Sequence, residues 1–271
     1  MTSFMPHHGT TPQGPAPFST VILAGSRHGA AEPLARFGQT THKALLPVGG
    51  VPMLERVVSA LEAVPGAGKP LVSIEDPSAL AFLEGRVTPV QACPTPAESA
   101  AVAVRLAGTP CLLTTADHAL LQPEWVAGFI AKSRATGADI TAAVALRETV
   151  TRDVPTTKRT FIRLSDAAFS GCNLFWLANQ NALNVIDLWE VLQKDRKHPL
   201  RMAQRLGWGT LARALTRTLS VEALENRIEA LTGAHARLIM MDDGRAAVDV
   251  DKVTDWHLAE KLLATPESRT P

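Results

Sequence analysis

Small and basic residues follow a short apolar run near the start of the chain and could bind phosphate. Residues 20–23 are apolar or β-branched, and the loop after them carries three basic side chains, Arg27, Arg36 and Lys43. Small residues let backbone N–H groups approach phosphate oxygens, and Arg and Lys supply positive charge against a polyanion. The loop matches neither G-x-x-x-x-G-K-[ST] nor G-x-G-x-x-G. By pattern alone it indicates either phosphate binding or a polar surface loop with a solvated Lys43.

Aspartates lie where parallel strands are expected to end, and carboxylate oxygens are the ligands that hard divalent cations prefer. Asp117 comes after the apolar run 111–115. Asp249 and Asp251 alternate along a predicted strand, so they share one face. Asp255, four residues further, is placed to cap the helix that follows. A single Asp more often caps a turn than binds metal, so only the joint occurrence predicts a metal site.

The elements that must position these residues alternate between strand and helix. Short β-branched runs indicate buried strands, and apolar residues at helical spacing indicate amphipathic helices. The pattern predicts strands over 20–23, 70–74, 87–90, 111–115, 138–145, 160–164, 169–175, 236–241 and 247–250. It predicts helices over 52–61, 78–83, 97–106, 123–135, 181–194, 200–217, 221–231 and 253–263. Repeated βα units of this length favour a parallel sheet with helices on both faces.

Composition argues against several classes of protein. The 271 residues carry 27 Lys+Arg against 26 Asp+Glu, which is typical neither of a nucleic-acid coat nor of a membrane-surface protein. No apolar run approaches the roughly 20 residues needed to cross a bilayer. Residues 1–17 do not look like a signal peptide, and three isolated cysteines favour a reducing compartment. We expect a cytoplasmic protein with a flexible leader over 1–17, one domain over 18–265 and a flexible tail over 266–271.

Several of these motifs together resemble a known family. The chain reads V-I-L-A-G at 21–25, R-F-G at 36–38 and K-A-L-L-P-V-G-G-V-P-M-L at 43–54. It then reads S-G-C-N at 170–173 and D-V-D-K-V-T-D at 249–255. This order resembles the sugar-phosphate-type nucleotidyltransferases, and within them the proteins similar to molybdenum-cofactor guanylyltransferase. The resemblance implies a Rossmann-like three-layer α/β/α fold with a mostly parallel central sheet and an elaborated C-terminal half.

The resemblance also implies a reaction and a set of site residues. An acceptor phosphate would attack the α-phosphorus of a nucleoside triphosphate (NTP), either GTP or CTP, and expel pyrophosphate with Mg²⁺, or alternatively Mn²⁺, as cofactor. The implied catalytic residues are Lys43, Arg27, Arg36 and Asp117, with Asp117, Asp251 and Asp249 around the metal. The implied nucleotide-binding residues are Leu23, Ala24, Gly25, Ser26, Gly29 and Ser99. The acceptor would meet Gly171, Asn173 and Lys158.

The chain departs from the family pattern at three places. Ser26 replaces a loop glycine, so Arg27 and Arg36 compete for the role of triphosphate-binding arginine. Cys172 replaces a glycine of the substrate turn, and residues 252–254 replace T-P-E. Structural alternatives also stand: Ser99 as an interior helix residue, and Lys158 as a surface charge.

Two other functions compete with this interpretation. A glycosyltransferase that uses a nucleotide-sugar is expected to carry Asp-x-Asp after the central strand. Here His118 and Ala119 follow Asp117, which disfavours that function. A regulatory protein that binds nucleotide without catalysis is the other rival. As partners we expect an NTP and a phosphorylated acceptor, no nucleic acid and no membrane span, in a monomer or a homodimer. A run of arginines over 201–217 indicates a solvated helix face, or alternatively peripheral contact with an anionic lipid surface.

Overall fold

A computed structural model describes residues 16–26, 31–195 and 198–264. Most of the expected leader, residue 265 and the expected tail lie outside the described residues, as do Arg27 and Gly29 of the predicted phosphate loop. None of the helices in the described ranges has the length and apolar character needed to cross a membrane.

The strands confirm a mostly parallel sheet. In chain order they are β1 (Ser19–Leu23), β2 (Pro47–Val48), β3 (Val51–Pro52), β4 (Leu71–Ile74), β5 (Thr88–Gln91), β6 (Cys111–Thr115), β7 (Ile140–Leu146), β8 (Ile162–Arg163), β9 (Ala168–Leu177) and β10 (Ala236–Met240). The large sheet has the order β10-β7-β9-β6-β1-β4-β5, with β8 beside β9. Strand β9 is antiparallel to both of its neighbours β6 and β7, while β1, β4, β5 and β6 run parallel. The carboxyl ends of these four strands therefore meet at one edge of the sheet, which we call the catalytic edge because the predicted catalytic residues follow these strands.

Helices cover both faces of the sheet. They are α1 (Pro33–Phe37), α2 (Met53–Glu62), α3 (Pro96–Ala107), α4 (Pro123–Thr136), α5 (Arg147–Asp153), α6 (Ala182–Asp195), α7 (Pro199–Leu206), α8 (Trp208–Leu215), α9 (Val221–Thr232) and α10 (Val253–Ala264). Short 3₁₀ helices span Lys43–Leu45, Pro77–Leu83 and Gly244–Ala247. Helices α3 and α4 both begin with a proline, a residue that favours the first turn. The Thr95 side chain also caps α3 by accepting from the amide of Glu98.

Side chains along the central strands point alternately to the two faces of the sheet, and each face carries a layer of helices. Val21 and Leu113 pack with the apolar faces of α3 and α6. Their neighbours Ile22 and Leu112 pack on the opposite face, against α2, α4 and the buried Trp176. Successive strand residues point to opposite faces, so one apolar run supplies two cores. This three-layer α/β/α arrangement is the Rossmann-like fold expected from the sequence.

A third apolar cluster lies at the catalytic edge and joins distant parts of the chain. Leu34 of α1, Leu46, Val248 and Val250 are buried together with one face of α10. The indole N–H of Trp256 donates to the carbonyl of Pro47 at 2.8 Å. This edge cluster sets the position of the segments that carry the acidic and basic residues of the catalytic edge.

The G-G of the 43–54 motif forms the turn of a hairpin in this structure. Gly49 and Gly50 connect β2 to β3, and their φ angles are +59° and +75°. A two-residue hairpin with two positive φ angles is the turn that favours glycine most strongly. The amide of Gly49 donates to Glu260 of α10 at 2.6 Å. These glycines therefore shape the segment next to Lys43 and tie it to α10.

The predicted strand over 247–250 is wrong. Residues 244–247 form a 3₁₀ helix that Asp243 caps, and the chain continues in an extended conformation outside the sheet. Val248 and Val250 are buried as the alternation required, but the edge cluster covers them. The amide of Val250 donates to the carbonyl of Asp117 at 3.0 Å, which links the segment to the loop after β6.

The helix predicted over 200–217 is also wrong as a single element. Gly207 has a φ of +88° and separates α7 from α8, and Arg227 donates to the carbonyl of Leu206 there. Arg201 and Arg205 pair with the buried Asp195, so part of the expected basic face is neutralised. The sequence analysis also missed α1, inside the long loop, and α5, which follows β7.

Tight packing under the acidic segment gives the first prediction. A Cβ on Gly244 would lie 2.6 Å from backbone atoms of Thr149 and Val150, whereas a Cβ on Gly128 inside α4 meets nothing within 4 Å. We expect Gly244→Ala to lower the free energy of unfolding by about 1–3 kcal/mol through overpacking. The matched Gly128→Ala should raise it by about 0.5–1 kcal/mol. Urea denaturation measures both, and wild-type stability in Gly244→Ala would contradict the described contact between the 3₁₀ helix and α5.

Candidate active site

Lys43 stands at the centre of the catalytic edge, between two of the predicted aspartates. Its ammonium donates to Asp117 Oδ2 at 2.9 Å and to Asp251 Oδ1 at 2.7 Å. The Lys43 side chain is 15% exposed and that of Asp117 is 21% exposed, while Asp251 is open to solvent. The structure thus brings together three residues that lie far apart in sequence and that the sequence analysis had selected separately.

Local structure explains how each member of this cluster is held. Lys43 begins a 3₁₀ helix, and its carbonyl accepts the amide of Leu46. Asp117 follows β6, and its second oxygen accepts a hydrogen bond from Thr115 at 2.5 Å. Asp255, as expected, caps the start of α10 by accepting from the amides of Asp251 and Lys252. Each charged side chain therefore extends from a backbone segment that is fixed by hydrogen bonds.

The two carboxylates determine the protonation of Lys43. Burial by itself lowers the pKa of this amine, but the charges of Asp117 and Asp251 and the hydrogen bonds to both carboxylates outweigh burial. The net effect raises the pKa of Lys43 above its ordinary value. The lysine stays a cation at physiological pH, and the two carboxylates together exceed its charge.

The donor set is suitable for a hard divalent cation. Oxygens of Asp117 and Asp251 converge on one point, which the Lys43 nitrogen occupies in this structure. Mg²⁺ is usually held by one or two carboxylates together with substrate phosphates and water. Within the described ranges no group of three or more His, Cys, Asp or Glu side chains forms a cage for a metal. The residues present therefore fit a cation that is shared with a phosphate ligand.

Asp249 has partners other than Lys43. Both of its oxygens are paired with the Arg159 guanidinium, through Nη1 and, at 3.1 Å, through Nη2. Asn173, whose backbone φ is +50°, donates to the same carboxylate at 3.1 Å. Burial lowers the pKa of Arg159, but the hydrogen bonds and charge of Asp249 outweigh it and raise the pKa above its ordinary value. In this structure Asp249 forms a bidentate ion pair, so its predicted place around a metal stays untested.

A pocket next to this cluster opens between the carboxyl ends of β1, β4 and β5 and the start of α3. We call it the nucleoside pocket, after the ligand that the resemblance to nucleotidyltransferases implies. Predicted nucleotide-binding residues that line it are Leu23, Gly25, Ser26 and Ser99, together with Glu75, Ala92, Cys93, Pro94, Thr95 and Pro96. Ser99 accepts from the amide of Cys93 at 2.8 Å, so it also shapes the loop after β5. Ala24 is buried, and its amide donates to the carbonyl of Ser73, which extends the hydrogen bonding between β1 and β4 by one residue.

A hydrogen-bonded chain connects this pocket to Lys43. Glu75 Oε1 accepts from the amide of Ser26 at 2.5 Å, and its Oε2 lies 3.2 Å from His42 Nε2. His42 Nδ1 accepts from the amide of Ala44 at 3.1 Å, inside the 3₁₀ helix that Lys43 begins. One of the amides expected to cradle phosphate is therefore bound to a carboxylate in this structure.

Other predicted site residues lie further out. Arg36 is exposed on α1, and the structure gives its side chain no partner among the described residues. Lys158 and Gly171 are exposed, near Arg159 and Asn173 in the chain. Arg27 and Gly29 lie outside the described residues, so the choice between Arg27 and Arg36 stays open.

Sequence reasoning missed three residues of this region. Glu75 directly follows the apolar end of β4, and the rule that selected Asp117, a carboxylate at a strand end, would have found it. His42 precedes Lys43, but nothing in its spacing indicates a contact with Glu75. Arg159 lies in an irregular loop without periodicity, and only its neighbour Lys158 was selected.

His118 is a buried residue beside the cluster. It is 1% exposed, and both ring nitrogens are buried away from solvent. Burial lowers its pKa to about 4, so the imidazole is neutral at physiological pH. The ring stacks on Trp125 with centroids 6.4 Å apart. His118 is therefore part of the packing under Asp117.

Comparisons with known proteins identify the family of the chain. A family model described as MobA-like NTP transferase domain matches residues 20–236. A hypothetical transferase from Thermus thermophilus is 30% identical with a TM-score of 0.75, over 89% of this chain and 99% of that one. No curated protein matches.

More distant solved structures share the fold. A CMP:2-keto-3-deoxy-manno-octonic acid synthetase complexed with CTP is 12% identical, with a TM-score of 0.57 over 91% of this chain and 98% of that chain. CTP:phosphocholine cytidylyltransferase from Streptococcus pneumoniae is 13% identical, with a TM-score of 0.54, and the match covers 90% of this chain and 98% of that chain. At these identities the likeness is one of fold alone.

Thiol chemistry tests the nucleoside pocket. Burial raises the pKa of Cys111 and of Cys172 to about 12, whereas the half-buried Cys93 lines the pocket. We expect a disulfide reagent such as Ellman's to label Cys93 first, because the thiolate is the nucleophile. A saturating NTP with Mg²⁺ should slow this labelling, and Cys93→Ser should abolish the fast phase. An unchanged rate under saturating nucleotide would contradict the assignment of the pocket.

A double-mutant cycle tests the Arg159–Asp249 pair. The side chains are 16% and 17% exposed, so removing either one leaves a largely buried charge unpaired. We expect Arg159→Met and Asp249→Ala to be non-additive, with a coupling of about 1–3 kcal/mol in urea denaturation. A coupling that is indistinguishable from zero would show that the ion pair does not form in solution.

Proposed function

The chain belongs to the MobA-like NTP transferase family and is a nucleotidyltransferase, and from this premise we propose a specific reaction. It transfers the nucleoside monophosphate of GTP or CTP to a phosphorylated small-molecule acceptor, depends on Mg²⁺, and releases pyrophosphate. The observation that carries the proposal is the Lys43 ammonium between Asp117 and Asp251, beside the nucleoside pocket.

The proposed chemistry needs charge neutralisation more than covalent participation by the protein. An oxygen of the acceptor phosphate forms a bond to the α-phosphorus, and the bond from that phosphorus to the pyrophosphate oxygen breaks. Negative charge grows on the departing pyrophosphate, and the Lys43 ammonium stabilises it. The rest of the rate enhancement comes from holding the two substrates in line.

Asp117 and Asp251 are the residues that would hold Mg²⁺, which when bound acts as a Lewis acid toward phosphate oxygens. Thr115 orients Asp117 by donating to its other oxygen, and Asp255 fixes the backbone of residue 251. These contacts keep both carboxylates directed toward the same point before substrate arrives.

The acceptor side is assigned to the loop before β8 and to β9. Arg159 places a guanidinium next to Asn173, and the exposed Lys158 adjoins it. The planar guanidinium group presents N–H donors that match the oxygens of carboxylate and phosphate groups. Asp249 occupies two of the five guanidinium N–H groups of Arg159, so the remaining N–H groups together with Lys158 support an anionic acceptor, whose phosphate they would orient.

Nucleotide binding and pyrophosphate release test the function together. An NTP with Mg²⁺ at 100 times its dissociation constant should stabilise the protein by about 2.7 kcal/mol in a thermal-shift screen. With a panel of phosphorylated acceptors, we expect pyrophosphate release that falls by about 100-fold or more in Asp117→Asn. Asp187→Asn, an exposed carboxylate paired with Arg105 on α3, is the control and should behave as wild type.

Each rival function predicts a different result. A flat response to all four NTPs would refute the proposal. Turnover that survives Asp117→Asn unchanged would refute the metal assignment. A protein that binds nucleotide but releases no pyrophosphate, and instead transfers sugar from a nucleotide-sugar, would be the glycosyltransferase.

A further inference from the structure

We propose that helices α7 and α8 form a surface that docks on an anionic lipid bilayer. We call it the α7–α8 surface, and it consists of the exposed residues Leu200, Arg201, Trp208, Arg213, Leu215 and Arg217. None of these residues is assigned to the proposed reaction, so the inference is independent of that reaction and concerns a different face of the protein.

Positive charge is concentrated around this surface. Residues 196–221 contain six Lys+Arg and no Asp or Glu, whereas the whole chain is nearly balanced at 27 against 26. In α7, Arg201 and Arg205 both pair with Asp195, so two guanidinium groups share a single carboxylate. The Arg213 guanidinium donates to an uncharged backbone carbonyl. The surface therefore keeps a positive charge, which attracts an anionic partner.

Large apolar side chains on the same two helices are open to solvent. Leu200 of α7 is 66% exposed, and Trp208 and Leu215 of α8 are 58% and 76% exposed. These are three of the four most exposed large apolar side chains in the described part of the chain. Trp208 and Leu215 are about two helical turns apart, so they lie on one face of α8. Burying such a face against a partner is favourable.

Polar contacts attach these helices to the rest of the domain. The carboxylate of Asp195 at the end of α6 accepts from Arg205 at 2.6 Å. Where α7 meets α8, Arg227 of α9 donates to the carbonyl of Leu206 at 2.7 Å. After α8, the carbonyl of the buried Leu219 accepts a backbone amide of the turn between β8 and β9 at 2.8 Å. The helices are therefore held in place while their apolar side chains stay exposed.

An anionic bilayer fits both features of the surface. Amphipathic helices that lie on a membrane carry Trp and Leu on one face and Lys or Arg on the other, and anionic headgroups attract the basic side chains. A nucleic acid would match the arginines but would leave Leu200 and Leu215 in water. A second copy of the chain would cover the leucines but would bring arginines of like charge together.

Vesicle sedimentation of the full-length protein tests the proposal. One set of vesicles is pure phosphatidylcholine, and the other is phosphatidylcholine mixed with an equal amount of phosphatidylglycerol. We expect binding to the anionic set to be about 10-fold tighter or more, because attraction of the basic residues adds to insertion of the apolar ones. Raising the salt concentration from about 0.05 M to about 0.5 M should remove most of this difference, since salt screens the charges.

Two double variants separate the apolar and the charged contributions. Trp208→Ser with Leu215→Ser should weaken binding to anionic vesicles about 10-fold or more, because the inserted side chains are lost. Arg213→Gln with Arg217→Gln should weaken it about 10–30-fold at low salt.

Each double variant has a control outside the surface. Leu106→Ser removes an apolar side chain of α3 that is 65% exposed. Lys69→Gln with Lys132→Gln removes two positive charges at exposed positions, as the arginine variant does. Both controls should keep the wild-type affinity for anionic vesicles.

The other outcomes overturn the proposal and leave the nucleotidyltransferase reaction standing. Equal binding to both sets of vesicles, or binding to neither, is one of them. Dimerisation in analytical ultracentrifugation that Trp208→Ser with Leu215→Ser abolishes, without vesicle binding, would assign the surface to a second copy. Binding that survives this variant and that duplex DNA displaces would assign it to nucleic acid. If a double variant does not fold, the wild-type comparison still decides, together with quenching of tryptophan fluorescence by brominated lipid, which should fall in Trp208→Phe.

Discussion

The convergence of two carboxylates on the Lys43 ammonium is the interaction on which this catalytic edge depends. Asp117 follows a strand, Asp251 precedes the last helix, and Lys43 begins a 3₁₀ helix near the opposite end of the chain. Like charges placed this close repel unless a cation lies between them. The lysine fills that role here, and Mg²⁺ together with the phosphates of a nucleotide would share it during the proposed reaction.

Apolar packing, more than the sheet, brings these charges together. The edge cluster joins α1, the β2–β3 hairpin, the extended segment after the 3₁₀ helix 244–247, and α10. Val248 and Val250 anchor that segment from beneath, so Asp249 and Asp251 face away from the core. Burying apolar side chains is favourable whatever their polar neighbours are. The fold can therefore hold these two acidic residues at the catalytic edge on a segment that lies outside the sheet.

Two hydrogen-bonded systems flank the cluster of Lys43, Asp117 and Asp251, one on the side that we propose for the nucleotide and one on the side that we propose for the acceptor. Glu75 and His42 connect the nucleoside pocket to the element of Lys43, and Arg159 and Asn173 hold Asp249 on the side assigned to the acceptor. The central cluster, formed by Lys43, Asp117 and Asp251, lies between them and shares its backbone segments with both. A ligand on either side therefore meets side chains that are already oriented, which lowers the cost of ordering them.

The sequence by itself determined the class of fold, most element boundaries to within a few residues, and the residues of the central cluster. These depend on local signals: β-branched runs, helical spacing, and polar residues at strand ends. Only the tertiary structure decided that residues 247–250 lie outside the sheet, that Gly207 divides a helix, and that Arg159 pairs with Asp249 across 90 positions. The same holds for His42 with Glu75, 33 positions apart. Such pairs form because packing brings distant segments together, and no local periodicity records which partner a charged side chain will meet.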